Sequence, residues 1–312
     1  MTKGTKAFRI IISILLGLTM LFGAYMSAAF IYFGKTFIHT DAYDIYVVGV
    51  QVTRENQDDI LGDGAVSYDA FNNVLAFENA VIESDYVIVY SLIDLKIKLI
   101  GENKFICNGN DANIAVYASD GILRKDLSFE GDGSLAIEFK NVDIDSAGII
   151  AEDLWIGADI TVTTPDCKEI SNGLVCTASL TLRNKATVTV NNGAARSSTA
   201  VSVRGNVIME SGSAMNITVN SGATEACNGL SVCGNMSIGR DVTLNVSVHD
   251  ATAETGDCIN VFGSICIGRG SEITAVSEAK CGIECYGSIV NYEATINAEV
   301  EALGGVHNKT ID

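Results

Sequence analysis

Among residues able to do chemistry, the carboxylates stand out. The stretch Asp58-Asp59-Ile60-Leu61-Gly62-Asp63-Gly64, followed by Asp69, sets four acids around two glycines. Calcium takes six to eight oxygen ligands, and acidic glycine-containing loops supply them. Asp58, Asp59, Asp63 and Asp69 are therefore the candidate Ca2+ ligands, and Ca2+ is the one cofactor suggested. The alternating ligands and terminal Glu of an EF-hand are absent, so a solvated acidic turn is the competing reading. Other acids pair in sequence at Asp143-x-Asp145 and Glu152-Asp153. Glycoside hydrolysis needs two carboxyls flanking one bond. Successive strand residues point to opposite faces, so adjacent acids rarely cooperate. His39, His249 and His307 lie far apart, without a nucleophile or carboxylate motif beside them. No catalytic residue is assigned.

Nine cysteines follow: Cys107, Cys167, Cys176, Cys227, Cys233, Cys258, Cys266, Cys281 and Cys285. No zinc-type double C-x-x-C occurs, and the odd count leaves at least one thiol free in a monomer. A Cys227–Cys258 bridge between adjacent coils is the candidate disulfide, set against mostly free, buried thiols. The sole Trp155 and the ten tyrosines are candidates for stacking on sugar rings. Tyr43, Tyr46, Tyr68, Tyr86 and Tyr90 gather in the N-terminal half, without regular spacing.

These residues must be positioned by a repeat. The segments IIAEDLWI (149–156), LVCTASLTL (174–182), VSVRGNVIM (201–209), LSVCGNMSI (230–238), INVFGSICI (259–267) and IECYGSIV (283–290) align in register. One slot is filled by Glu152, Ala178, Gly205, Gly234, Gly263 and Gly287, at steps of 26, 27, 29, 29 and 24 residues. Such a period, with short strands in each step, predicts a solenoid. Further strands alternate apolar residues with Thr, Ser or Asn, as at Met215–Val219 and Val242–Val248. Coils stacked in parallel bury a continuous apolar core that one coil could not.

The predicted fold class is all-β, a parallel β-helix (β-solenoid) with an N-terminal cap, preceded by one transmembrane helix. Gly205, Gly234, Gly263 and Gly287 are read as structural corners, where glycine permits a bend and the following Asn or Ser satisfies the turn. The flanking Val, Ile and Cys are expected to point inward, the cysteines acting as small apolar residues.

Residues 10–33 carry no charge, and as a helix they would measure about 36 Å, enough to span a bilayer. Lys3, Lys6 and Arg9 precede them, which places the N-terminus in the cytoplasm and the body outside. Cleavage near Ser27-Ala28-Ala29 and secretion is the alternative. The expected organisation is a basic tail (1–9), a signal anchor (10–33), a linker and cap (34–80), solenoid repeats (81–303) and a tail (304–312).

Charge is uneven as well. The chain holds 20 basic and 38 acidic residues; four bases and no acid fall in 1–35, leaving 16 − 38 = −22 for the rest. A body this acidic repels phosphates, so nucleic acid is excluded as a partner.

The run YVVGVQVTRENQDDILGDGAVSYDAFNNVLAFENAVI (46–82), followed by DLKIKLIGEN (94–103), resembles bacterial (Firmicutes-type) surface proteins whose β-solenoid is a carbohydrate-binding-domain-like region. In both, a strand, a GDG loop and a hairpin lead to D-L-x-I-x-L-x-G-x-N. The resemblance implies an exported β-helix with polysaccharide affinity, and it carries no catalytic motif. The expected function is binding or adhesion at the cell surface. A structural stalk or shield and a polysaccharide lyase- or hydrolase-like enzyme are the alternatives.

Overall fold

A computed structural model describes residues 41–109, 113–220, 226–249, 257–278 and 281–309. The predicted membrane span, residues 10–33, lies outside them. The described residues are all-β and contain no helix. The described residues from Asp44 onward form one compact unit.

Three sheets of 11, 11 and nine strands wrap a common core. One coil shows the plan: Val207–Met209 lies on face II, Ala214–Asn220 on face III and Ala226–Val232 on face I. Each strand pairs in parallel with its counterpart in the next coil, as Val207 with Met236, Ala214 with Thr243 and Leu230 with Ile259. The β-solenoid expected from the repeat is thus the fold, with three strands per coil. Parallel pairing runs from Val74–Glu78 to Val306–Asn308, a few residues past each end of the expected 81–303.

Alternation accounts for the core. On face II, Leu127, Leu154, Leu180, Val207, Met236 and Ile265 share one inward column and are all buried. Inward columns of this kind, stacked coil on coil, bury the apolar surface that drives folding. On face I, Gly148, Gly173 and Gly229 form a second glycine slot. A Cβ there would collide with Val162, Val190 and Val246 of face III, so small residues let the two faces close.

At the N-terminal end the pairing turns antiparallel. Ala42–Val47 and Val50–Thr53 are joined by Val48-Gly49, both at positive φ (52° and 73°), as a two-residue hairpin turn requires. Val66–Asp69 pairs antiparallel with Val74–Glu78, and Asn73 takes positive φ at the turn.

The corner between faces I and II repeats one arrangement. The N–H of Ala178 donates to the Glu152 carbonyl at 2.9 Å, Gly205 to Ala178 at 2.6 Å, Gly234 to Gly205 at 2.8 Å, and Gly263 to Gly234 at 2.9 Å. Gly287 and then Gly304 continue the series at 2.9 Å. The expected reason for glycine needs correction: Gly205, Gly234, Gly263 and Gly287 have no positive φ. What excludes a side chain is the coil beneath. A Cβ on Gly234 would lie 2.5 Å from the Gly205 carbonyl oxygen and 2.6 Å from Asn206 Oδ1.

The residue after the slot is also bonded between coils, rather than within its own turn. Asn235 N–H donates to Asn206 Oδ1 and Ser264 N–H to Asn235 Oδ1, both at 2.8 Å. The same link joins Asp94, Asp126, Asp153, Ser179 and Asn206 in order, and Ser264 to Ser288. One polar ladder thus runs from Asp94 to Ser288.

Substituting Gly234→Val should therefore overpack the corner. Overpacking costs typically about 1–3 kcal/mol, which in a protein of this size lowers the melting temperature by roughly 2–4 °C per kcal/mol. Thermal denaturation followed by circular dichroism checks this, and an unchanged midpoint would contradict the close approach.

Candidate functional site

The face II strands Leu95–Ile100, Leu127–Gly131, Leu154–Ile156 and Leu180–Leu182 place Lys96, Ser128, Trp155 and Thr181 in one outward column. Alternation aims them outward because Leu95, Leu127, Leu154 and Leu180 point into the core. Trp155 is half-buried between Ser128 and Thr181 in register, both small. It makes no ring contact among the described residues. The stem of Arg183 passes beside Gly157, where a Cβ would sit 3.4 Å from Arg183 Cδ. Trp155, Arg183, Lys96 and Ser128 line a groove of about 290 Å3 with Asn73, Asp94 and Asp126.

The polar groups of this groove are held in place. Asn73 donates to the Asp94 carbonyl at 2.6 Å and accepts from the Tyr68 hydroxyl at 2.9 Å. Asp94 and Asp126 each use Oδ1 in the corner ladder. Burial raises the Asp126 carboxyl above its ordinary pKa; the Asp153 N–H opposes this and the neighbouring acids Asp94, Asp153 and Glu152 add to it. Lys96 and Arg183 make no ion pair among the described residues. The groove thus offers an indole, anchored carboxylate and amide oxygens, and two cationic donors.

A second hollow, about 480 Å3, lies at the N-terminal end of face I and is lined by Tyr46, Tyr86, Tyr90 and Tyr117 with Gly49, Val87 and Leu92. The tyrosines missed as irregular in sequence are regular in register: Tyr46 pairs with Tyr90, and Tyr90 with Tyr117. The first pairing is antiparallel, which hides the period. Their rings stack on one another, with centroids 6.0 and 5.5 Å apart, and Arg124 lies 4.7 Å from the Tyr117 centroid. Each of these three rings stacks on another ring, whereas Trp155 stacks on none among the described residues.

The candidate calcium ligands are used by their own loops. Asp59 Oδ1 accepts from Gly62 and Gly64 N–H, and Asp63 Oδ1 from Ala65 N–H. Asp69 accepts from the Asn72 side chain and from the Phe71 and Asn72 backbones, bonds that lower its pKa. Asp58 is exposed. No group of three His, Cys, Asp or Glu side chains able to hold a metal occurs among the described residues. Of the other sequence pairs, Asp143 meets Lys168 at 3.8 Å and Asp145 accepts from Ile170 N–H at 3.1 Å. His249 pairs with Glu278, and His307 contacts the Gly304 carbonyl.

None of the nine cysteines is in a disulfide, so the expected bridge between Cys227 and Cys258 is not formed. Cys227 instead extends a column of buried serines, Ser146, Ser171 and Ser198. Cys176 and Cys285 point inward as expected, but Cys266 does not. It shares an outward column with Ile208, Ser237 and Val290, and Cys233 is exposed at the corner.

The residues of the D-L-x-I-x-L-x-G-x-N run have structural work to do. Asn103 is buried, accepts from Ala80 N–H and donates to the Ser134 carbonyl of the next coil. Gly101 takes positive φ, and Asp94 starts the corner ladder. Comparison with family models, curated proteins and solved structures finds no match.

Burial holds Cys107 and Cys258 up to a pKa of about 12, from 9.0. Such thiols stabilise the fold below pH 9, where both states are protonated, and that contribution is lost as pH rises from about 9 to 12. An aromatic disulfide reagent at pH 8 should label Cys233 and Cys266 rapidly and the buried thiols only on unfolding. Rapid labelling of Cys107 or Cys176 in the folded protein would contradict their burial.

Proposed function

We propose that the chain is a cell-surface polysaccharide-binding protein, tethered by residues 10–33 and contacting its ligand at the face II groove around Trp155. The observation that supports this reading is an indole between small column neighbours, in a groove with fixed oxygen acceptors and two cationic donors. A sugar ring laid on the indole would exchange water for C–H contact with the ring face, while its hydroxyls meet Asp94, Asp126 and Lys96. The stacked tyrosines of face I are a poorer platform, because their faces contact each other. The unbroken ladder from Asp94 to Ser288 favours a second reading, a stiff surface spacer, for which Trp155 is not needed.

The two readings separate on one substitution. Full-length protein in a sugar-free detergent should be retained on a glycan array, and Trp155→Ala should abolish retention while leaving the melting temperature within a few degrees. Tyr86→Ala, an exposed ring of the other hollow, should leave retention unchanged. Wild-type protein that binds no glycan above background would contradict the binding reading and leave the spacer.

A further inference from the structure

We infer that the groove takes an internal stretch of a linear, uncharged polysaccharide with equatorial hydroxyls, lying along the stack of coils. This rests on the polysaccharide reading and specifies its ligand.

Another hollow adjoins the groove at Lys96, on the side away from Trp155. It measures about 460 Å3, is lined by Asn72, Val74, Lys98 and Glu130, and shares Lys96 with the first. Together the two cross the strands from Val74–Glu78 to Leu154–Ile156. Four strands at ~4.8 Å spacing make a floor about 14 Å long, more than one sugar ring occupies. The floor column reads Val74, Lys96, Ser128, Trp155, Thr181, and then Ile208 in the next coil. No ion pair or ring stack bridges it among the described residues. A floor longer than one sugar ring suits a stretch of chain, whereas recognition of a chain end needs a closed pocket.

Charge and ring chemistry narrow the ligand. Lys96, Lys98 and Arg183 face Asp69, Asp94, Asp126 and Glu130, so bases and acids nearly balance. A polyanion would gain little there and would also meet a chain of net charge −18. An uncharged sugar can use both kinds of group, accepting from Lys and Arg and donating to carboxylate oxygens. The negative face of the indole prefers C–H groups. A ring with all its hydroxyls equatorial presents C–H bonds on both faces, as β-linked glucose units do.

The test is calorimetry of the full-length protein in a sugar-free detergent with β-1,4- and β-1,3-linked glucose oligomers of one to six units and with soluble polymers of graded length. For at least one linkage, Kd should fall at least ~10-fold from dimer to hexamer, and Trp155→Ala should abolish hexamer binding. The number of proteins bound per polymer should rise with polymer length. Glucose or the dimer binding as tightly as the hexamer, or one protein per chain at every length, would overturn the internal-chain inference and leave polysaccharide binding standing. Binding to polyuronates but not to glucans would overturn the ligand class alone. Binding to no glycan would overturn both.

Discussion

Everything in this fold depends on how closely two coils approach at the corner between faces I and II. Along the column from Gly205 to Gly287, each backbone N–H reaches the carbonyl of the glycine, or of Ala178, one coil earlier. At Gly205, Gly234, Gly263 and Gly287 the coil beneath leaves no space for a Cβ. One position later, Asn and Ser oxygens accept the next N–H, so two adjacent donors are satisfied coil to coil. A turn left unpaired there would lose those bonds, and each half-buried glycine N–H left without a partner would cost on the order of 1–3 kcal/mol. Fixing the corner fixes the register of all three faces, because a slip by one residue would turn every inward Val, Ile and Leu outward.

Once register is fixed, columns rather than strands become the units of the surface. Residues about one repeat apart lie side by side, so the outer surface is written across the sequence. Trp155 gains its setting from Ser128 and Thr181, and Tyr90 from Tyr46 and Tyr117. The same rule gives two aromatic sites opposite characters: a ring with an aromatic neighbour in its column stacks on it, and a ring between small neighbours does not.

The core was legible because inward positions repeat apolar chemistry at a regular step. Val203, Val232 and Val261 fall in line in both sequence and structure. The glycine slot was legible in position but not in cause, since φ and close approach leave the same letter in a sequence. Cys266 misled for a related reason: Ile265 and Ile267 flank it and suggest a buried run, although alternation puts it outside. The face II groove was not legible. Its residues come from coils where the step varies, from Lys96 to Ser128 to Trp155, and where no common letter marks the column. The acids of 58–69 were visible as a cluster, but their backbone bonds depend on loop geometry that composition does not carry.

Native-state amide hydrogen exchange tests the corner ladder most directly. Asn206, Asn235 and Ser264 are exposed residues in turns, where local hydrogen bonding alone would leave their amides fast. If coil-to-coil bonds hold them, these amides should be protected to a degree comparable with those of the flanking strands Val207–Met209 and Met236–Ile238. Exchange at the rate of an open loop, with the flanking strands still protected, would contradict the ladder.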